Sequence, residues 1–413
     1  MLNDLAEAAD RYVTLVLAVG VHDVDYVDAY YGPSERRAQA EAARQPLDEI
    51  DRDAADVLTS LTTAGPPATG DDLVRLRYHY LTRQLESLRS RVALLQGRRL
   101  TFDEESLALY DAVAPRIDAA VFDAAIEELG RRLPGRGSVL ERYDAYRQRL
   151  VIPRDRLDAT FTAAIEAGRA RTHEHIALPD DERFDVEYVT DKSWSGYNWY
   201  QGGYHSLIQV NTDLPIYIDR AIDLACHEGY PGHHVYNVLL EHHLVRARGW
   251  TEFSVYALFS PQSLIAEGTA NFGIEVALPR EERLELERTV IFPAAGLDAS
   301  LAEEYYDILA LVDRLSYAGN EVARRYVDGE IDAQAAAEWL ERYALYSPPR
   351  ARQRVRFIQQ YRSYVINYNL GKDLVRSYVE SQTGTANEVR RWKVFEELIS
   401  SPRLPSGLIK VGS

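Results

Sequence analysis

The sequence predicts a mainly α, large helical fold with one small β-sheet bordering the cleft of its site. Three observations predict it. Apolar residues recur at helical spacing through most of the chain, strict alternation is confined to two short runs near residues 184–210, and 46% hydrophobic content across 413 residues can fill a sizeable core.

Residues 1 to about 175 read as successive amphipathic helices. Gly65-Pro66-Pro67 marks one loop and Leu133-Pro134-Gly135-Arg136-Gly137 another. Between them Asp71 or Asp72 is placed to cap a long helix bearing Leu73, Leu76, Tyr80 and Leu81 at helical spacing, and Thr101 with Glu104 has the form of a capping box. No obvious catalytic cluster stands in this half, which is expected to wall a cleft.

The pattern changes after Leu178-Pro179. Phe184 to Val189 alternates with period two and reads as a strand, and Tyr204 to Val210, after Gly202-Gly203, reads as a second. Beyond Asp213, a helix-capping candidate followed by Pro215, helical periodicity returns nearly to the C-terminus. The chain is therefore divided as an N-terminal helical half, 1–175, and a second half, 176–413, forming one continuous structural unit.

The formal charge of −17 opposes general nucleic-acid binding, because neutralising phosphates needs a basic face. No apolar run approaches the roughly 18 to 20 residues that cross a bilayer, so no membrane partner is expected. The leading segment is acidic where an export signal would be basic, and the single cysteine, Cys226, suits a reducing compartment; a cytoplasmic location is expected. Cys226 is read as a small buried core residue and not as a ligand.

The segment Cys226-His227-Glu228-Gly229-Tyr230-Pro231-Gly232-His233-His234 carries the chemistry. Two histidines four apart share a helical face and reach one zinc, with an intervening glutamate as base. Here Pro231 holds the fourth position. On a regular helix His233 lies about 120° from the face of His227, and His234 returns to that face about 10.5 Å along the axis. Pro231 and Gly232 are expected to form a bulge that absorbs two residues and restores His233 to the ligand's phase. His234 is kept as the alternative ligand, and a Pro-Gly pair that merely ends a helix is the bland alternative.

A catalytic zinc needs a third ligand. Ser260-Pro261 opens a helix carrying Glu267, Asn271 and Glu275 on one stripe, with Gly268 permitting close approach. Glu267 is the expected third ligand, Asn271 and Glu275 are candidates to orient an imidazole, and a solvated stripe is the alternative. The strand from Tyr204 to Val210 is a candidate edge for pairing with an extended peptide, against purely internal pairing. His242, His243, His173 and His175 are expected on exposed or capping positions, whereas His205 is a candidate to face the cleft.

At these residues the sequence resembles the domain of unknown function 885 family, bacterial gluzincin-like zinc metallopeptidases. The resemblance rests on His227 to His234, on Glu267-Gly268-Thr269-Ala270 and on Tyr368-Asn369-Leu370-Gly371-Lys372, with Asp25 to Pro33 as a further similar stretch. It implies a helical metallopeptidase-like fold, Zn2+ held by His227, His233 and Glu267, Glu228 as general base and Tyr368 as stabiliser of the tetrahedral intermediate. Thr269 and Phe272 depart from the family pattern. The expected function is hydrolysis of a peptide or small amide by zinc-activated water whose proton Glu228 accepts. A non-peptide amide or ester hydrolase and a non-catalytic binding protein that retains the fold are the alternatives. A dinuclear iron site is disfavoured, since no histidine has a glutamate three residues before it.

Overall fold

The computed structural model describes residues 2–67, 71–384 and 387–409. Helices dominate it. The first half holds α1 (Leu2–His22), β1 (Val27–Tyr30), α2 (Ser34–Ala43), α3 (Leu47–Ala64), α4 (Asp72–Leu95), α5 (Phe102–Tyr110), α6 (Ala119–Arg132), α7 (Val139–Arg147) and α8 (Leu157–His173). A sheet segment follows with β2 (Arg183–Val189), β3 (Gly196–Gly202) and β4 (His205–Asn211), then α9 (Asp219–Leu224), α10 (His233–Leu240), β5 (Val255–Ala257) and α11 (Pro261–Ala277). The remainder is helical: α12 (Arg280–Leu286), α13 (Phe292–Ala295), α14 (Ala302–Asp313), α15 (Ala318–Val327), α16 (Ala333–Tyr343), α17 (Pro348–Tyr361), α18 (Ile366–Thr383) and α19 (Glu388–Ile399).

Local chemistry sets several boundaries as expected. Asp71 caps α4, its carboxylate accepting from the Leu73 N–H at 3.0 Å. Thr101 and Glu104 form a reciprocal capping box at α5, and α3 and α6 stop at the two Gly/Pro loops. Ser260 precedes α11, with Pro261 at the first helical position, where its missing N–H costs nothing. Asp213 does not cap a helix. Its carboxylate instead accepts from the Asp191 and Lys192 N–H groups, and α9 begins only at Asp219.

The three-stranded sheet has the order β2-β4-β3, with β2 parallel and β3 antiparallel to β4. The strand expected at Tyr204–Val210 is therefore central, with partners on both sides, and cannot pair with a peptide. β3 escaped the sequence reading because its buried positions are Asn198 and Tyr200, which give no apolar alternation. A second sheet pairs β1 with β5 antiparallel, Val27 opposite Ala257.

One hydrophobic core runs from Leu5 in α1 to Leu408. Polar ties cross it. Arg77 on α4 makes two hydrogen bonds to Glu252, at 2.6 and 2.9 Å, and both side chains are buried; Tyr80 donates to Gln262 on α11 at 2.7 Å. The crossing of α11 and α18 is close because Gly268 faces Gly371: a Cβ built on Gly268 would lie 2.5 Å from the Gly371 carbonyl carbon and oxygen. Gly371 thus serves the helix crossing inside an unbroken α18. Tyr368 lies within that helix, and no turn at Asn369 or Gly371 interrupts it.

Candidate metal centre

His227 lies just past α9, where the helix widens over Ala225–Gly229, and the Tyr230 N–H reaches back five residues to the Ala225 carbonyl at 3.1 Å. The chain then breaks at Tyr230-Pro231-Gly232. The Gly232 N–H donates to the Cys226 carbonyl at 2.9 Å, and a Cβ on Gly232 would lie 1.9 Å from the His227 carbonyl oxygen, so only glycine fits the reversal. A new helix, α10, starts at His233. The expected bulge within one continuous helix is thus a break between two helices. Its effect on phase is the expected one: the Nε2 atoms of His227 and His233 stand 3.2 Å apart.

Glu267 enters from α11. Its Oε2 lies 3.3 Å from His227 Nε2 and 3.7 Å from His233 Nε2, and is buried without a well-directed hydrogen bond. Its Oε1 accepts from the Tyr364 hydroxyl at 2.8 Å. One ligand atom from each of His227, His233 and Glu267 falls within 4.8 Å of the others. An orphaned buried carboxylate oxygen facing two imidazole nitrogens costs free energy unless a cation satisfies it. Two nitrogens and one oxygen form a donor set that zinc accepts, so these residues fit the metal that the motif implies. Asn271 sits one turn beyond Glu267, and its Oδ1 meets His227 Nδ1 at 3.2 Å, which places the ring proton there and turns an unprotonated Nε2 to the centre. Asn271 in turn donates to the Tyr368 carbonyl at 3.3 Å.

The charges follow this geometry. Burial works against the Glu267 carboxylate, but the two imidazoles hold its pKa well below the usual range. Burial likewise opposes charge on His233, and Glu267 outweighs it, raising the imidazole to about 9. Asp28, from β1, lines the same cavity; burial lifts its carboxyl to about 6 against the hydrogen bond from Tyr197. Sequence reading missed Asp28 by treating the first half as a wall, although it stands in the stretch Asp25–Pro33.

The cavity, about 1050 Å³, is lined by the three candidate ligands, Glu228, Asp28 and Tyr368. Glu228 is 5% exposed; its carbonyl accepts from the Asn198 side chain at 2.7 Å, and its carboxylate needs the space at Gly196, where a Cβ would come within 2.9 Å of Oε1. The Tyr368 ring is edge-on to Tyr364 at 5.9 Å, and burial holds its phenol well above the ordinary value, so it is a hydrogen donor at neutral pH. Tyr364 was masked in the sequence by helical spacing that suits aromatic packing.

Other candidates lie elsewhere. His234 is fully buried and turned away from the cluster, with Nδ1 2.9 Å from Ser206 Oγ and Nε2 2.8 Å from Glu182. Glu275 pairs with Lys372 at 2.8 Å and Arg376 at 2.5 Å, not with a histidine. His205 does not reach the cavity but bonds Asp185 across β2 and β4 at 3.0 Å. His242 and His243 are exposed, His173 bonds Glu182 at 3.2 Å, and His175 stacks on Trp392. Cys226 is buried, which pushes its thiol up to about 12.

No family model and no curated protein matches the chain. Solved structures do resemble it. A protein designated a lipoprotein from Colwellia psychrerythraea aligns over 94% of this chain and 76% of its own, with TM-score 0.54 and 14% identity. The structure of CHT aligns over 96% and 90%, with TM-score 0.52 and 11% identity. An M32 carboxypeptidase from Deinococcus radiodurans R1 aligns over 98% and 96%, with TM-score 0.48 and 12% identity. At such identity the first two likenesses bear on the fold alone. Among the described residues, no helix is long and apolar enough to cross a membrane.

Proposed function

We propose that this chain is a zinc-dependent hydrolase, a metallopeptidase that cleaves peptide bonds, and a divergent relative of the family its motifs resemble. The observation that carries the reading is the buried Glu267 Oε2, without a directed hydrogen bond, facing His227 and His233 in the cavity that also receives Glu228. A zinc ion held by these three residues would supply Lewis-acid polarisation and an acidified water. Glu228 takes the water's proton and passes it to the leaving nitrogen, a shuttle that requires its carboxylate to face the cavity free of a protein cation. Tyr368 donates to the oxygen on which charge develops, and Asn271 and Tyr364 hold the ligands in place. The cavity takes a peptide or small amide, and the lone buried thiol is the reason to place the protein in the cytoplasm.

Glu228→Gln tests the assignment, because the amide keeps the shape but takes no proton. Elemental analysis should find about one zinc per chain in both proteins, and the variant should lose on the order of a hundredfold or more in turnover of a mixed peptide library. Zinc lost with Glu228 would make it a ligand, and unchanged turnover would remove the base assignment. Cleavage of esters or non-peptide amides alone would move the reading to that class of hydrolase, and zinc binding without hydrolysis to a binding protein.

A further inference from the structure

The cavity is lined in part by α17, which presents Arg350 and Arg354 one helical turn apart. In a chain of net charge −17, cations in this cavity are generally paired. Arg147 lies 4.0 Å from Asp219, Arg283 2.8 Å from Asp223, and Lys372 2.8 Å from Glu275. Arg350 and Arg354 have no carboxylate within ion-pair distance among the described residues. They are held by aromatic faces instead. The Arg354 guanidinium sits 4.6 Å from the Phe357 ring centre and 5.6 Å from that of Tyr368, and the Arg350 guanidinium 4.3 Å from that of Tyr346. Stacking fixes a guanidinium plane while leaving its N–H edge for a planar anion. The local potential is registered by Tyr346: burial raises its phenol pKa, but Arg350 and Arg354 outweigh this and bring it below the ordinary value.

We infer that Arg350 and Arg354 form a carboxylate-binding subsite, so that the substrate presents a free C-terminal carboxylate. This rests on the hydrolase reading and narrows it to removal of residues from the C-terminal end. Tyr368 links the two places: one face meets Arg354, and its neighbour Tyr364, 5.9 Å away, bonds Glu267. The carboxylate supplies the charge that the arginines lack, and the bond to be cut then lies over the histidines.

Calorimetry on the metal-free protein, with an N-acetyl dipeptide as its free acid and as its amide, reads the subsite without turnover. The acid should bind at least about tenfold tighter, and Arg354→Gln and Arg350→Gln should each reduce that ratio severalfold, with Arg354→Lys restoring part of it. Arg352→Gln, exposed and two residues from Arg354, should leave the ratio unchanged and controls for general charge. Thermal midpoints near wild type show that the variants fold. Equal binding of acid and amide, or a preference that survives both substitutions, overturns the subsite. Turnover by the zinc-loaded protein separates the two claims. Amide-blocked and free peptides cut equally fast would discard the subsite and keep the hydrolase, whereas acid-selective binding with no hydrolysis would keep the subsite and discard the hydrolase.

Discussion

The Tyr364 hydroxyl bonds Glu267 Oε1, while Tyr368, one turn further on, lines the cavity above it. The two phenols therefore have different tasks. Tyr364→Phe should weaken zinc about tenfold or more in a chelator competition, because the carboxylate loses the donor that aims it. Tyr368→Phe should leave zinc affinity near wild type and lower the maximal rate on the order of a hundredfold, about 3 kcal/mol of transition-state stabilisation. A loss of zinc with Tyr368→Phe, or none with Tyr364→Phe, would exchange or abolish these roles. At this scale the sequence was informative where chemistry is written in a local pattern. His227, Glu228 and His233 stand within seven residues, and the steric demand of Pro231-Gly232 marks the break between them. Tyr364 and Asp28 were not legible, since a tyrosine in an aromatic stripe and an aspartate on a short strand carry no sign of what they will face.

The crossing of α11 and α18 brings Glu267 and Tyr364 to the same centre, and it depends on two glycines in contact. Gly268→Ala puts a methyl carbon 2.5 Å from backbone atoms of Gly371, which cannot rotate away as a side chain would. The helices must separate, so the variant should lose about 2–3 kcal/mol in denaturant unfolding and bind zinc more weakly. Gly319→Ala, on α15 with open space around the new methyl, should instead be neutral or gain up to about 1 kcal/mol from helix propensity. Equal effects from the two substitutions would mean that the crossing is not the cause. Helices were readable from periodicity and caps, as at α4 and α5, because those signals are local. The sheet order was not: β4 became central because β3 pairs with it through Asn198 and Tyr200, and β1 with β5 joins segments that neither sequence run announces.

Across the whole molecule, the cavity collects side chains from β1, β3, the α9–α10 break, α11, α17 and α18. β1, which carries Asp28, packs on β3 and pairs with β5; that pairing sets Val27 opposite Ala257 and closes a loop of about 230 residues (257 minus 27). Chains cut before residue 255 should leave the 27–30 segment open to protease, and full-length protein should protect it; protection in the short chains would show that contacts with α1 and β3 hold β1 without β5. The pairing also sets a clock. At about 5–20 residues per second on the ribosome, the partner of β1 is synthesised roughly 10 to 50 seconds after β1 itself. For that interval the nascent chain carries an unpaired strand, so newly made protein spends its most vulnerable moments early, with one half of a two-stranded ribbon waiting for the other.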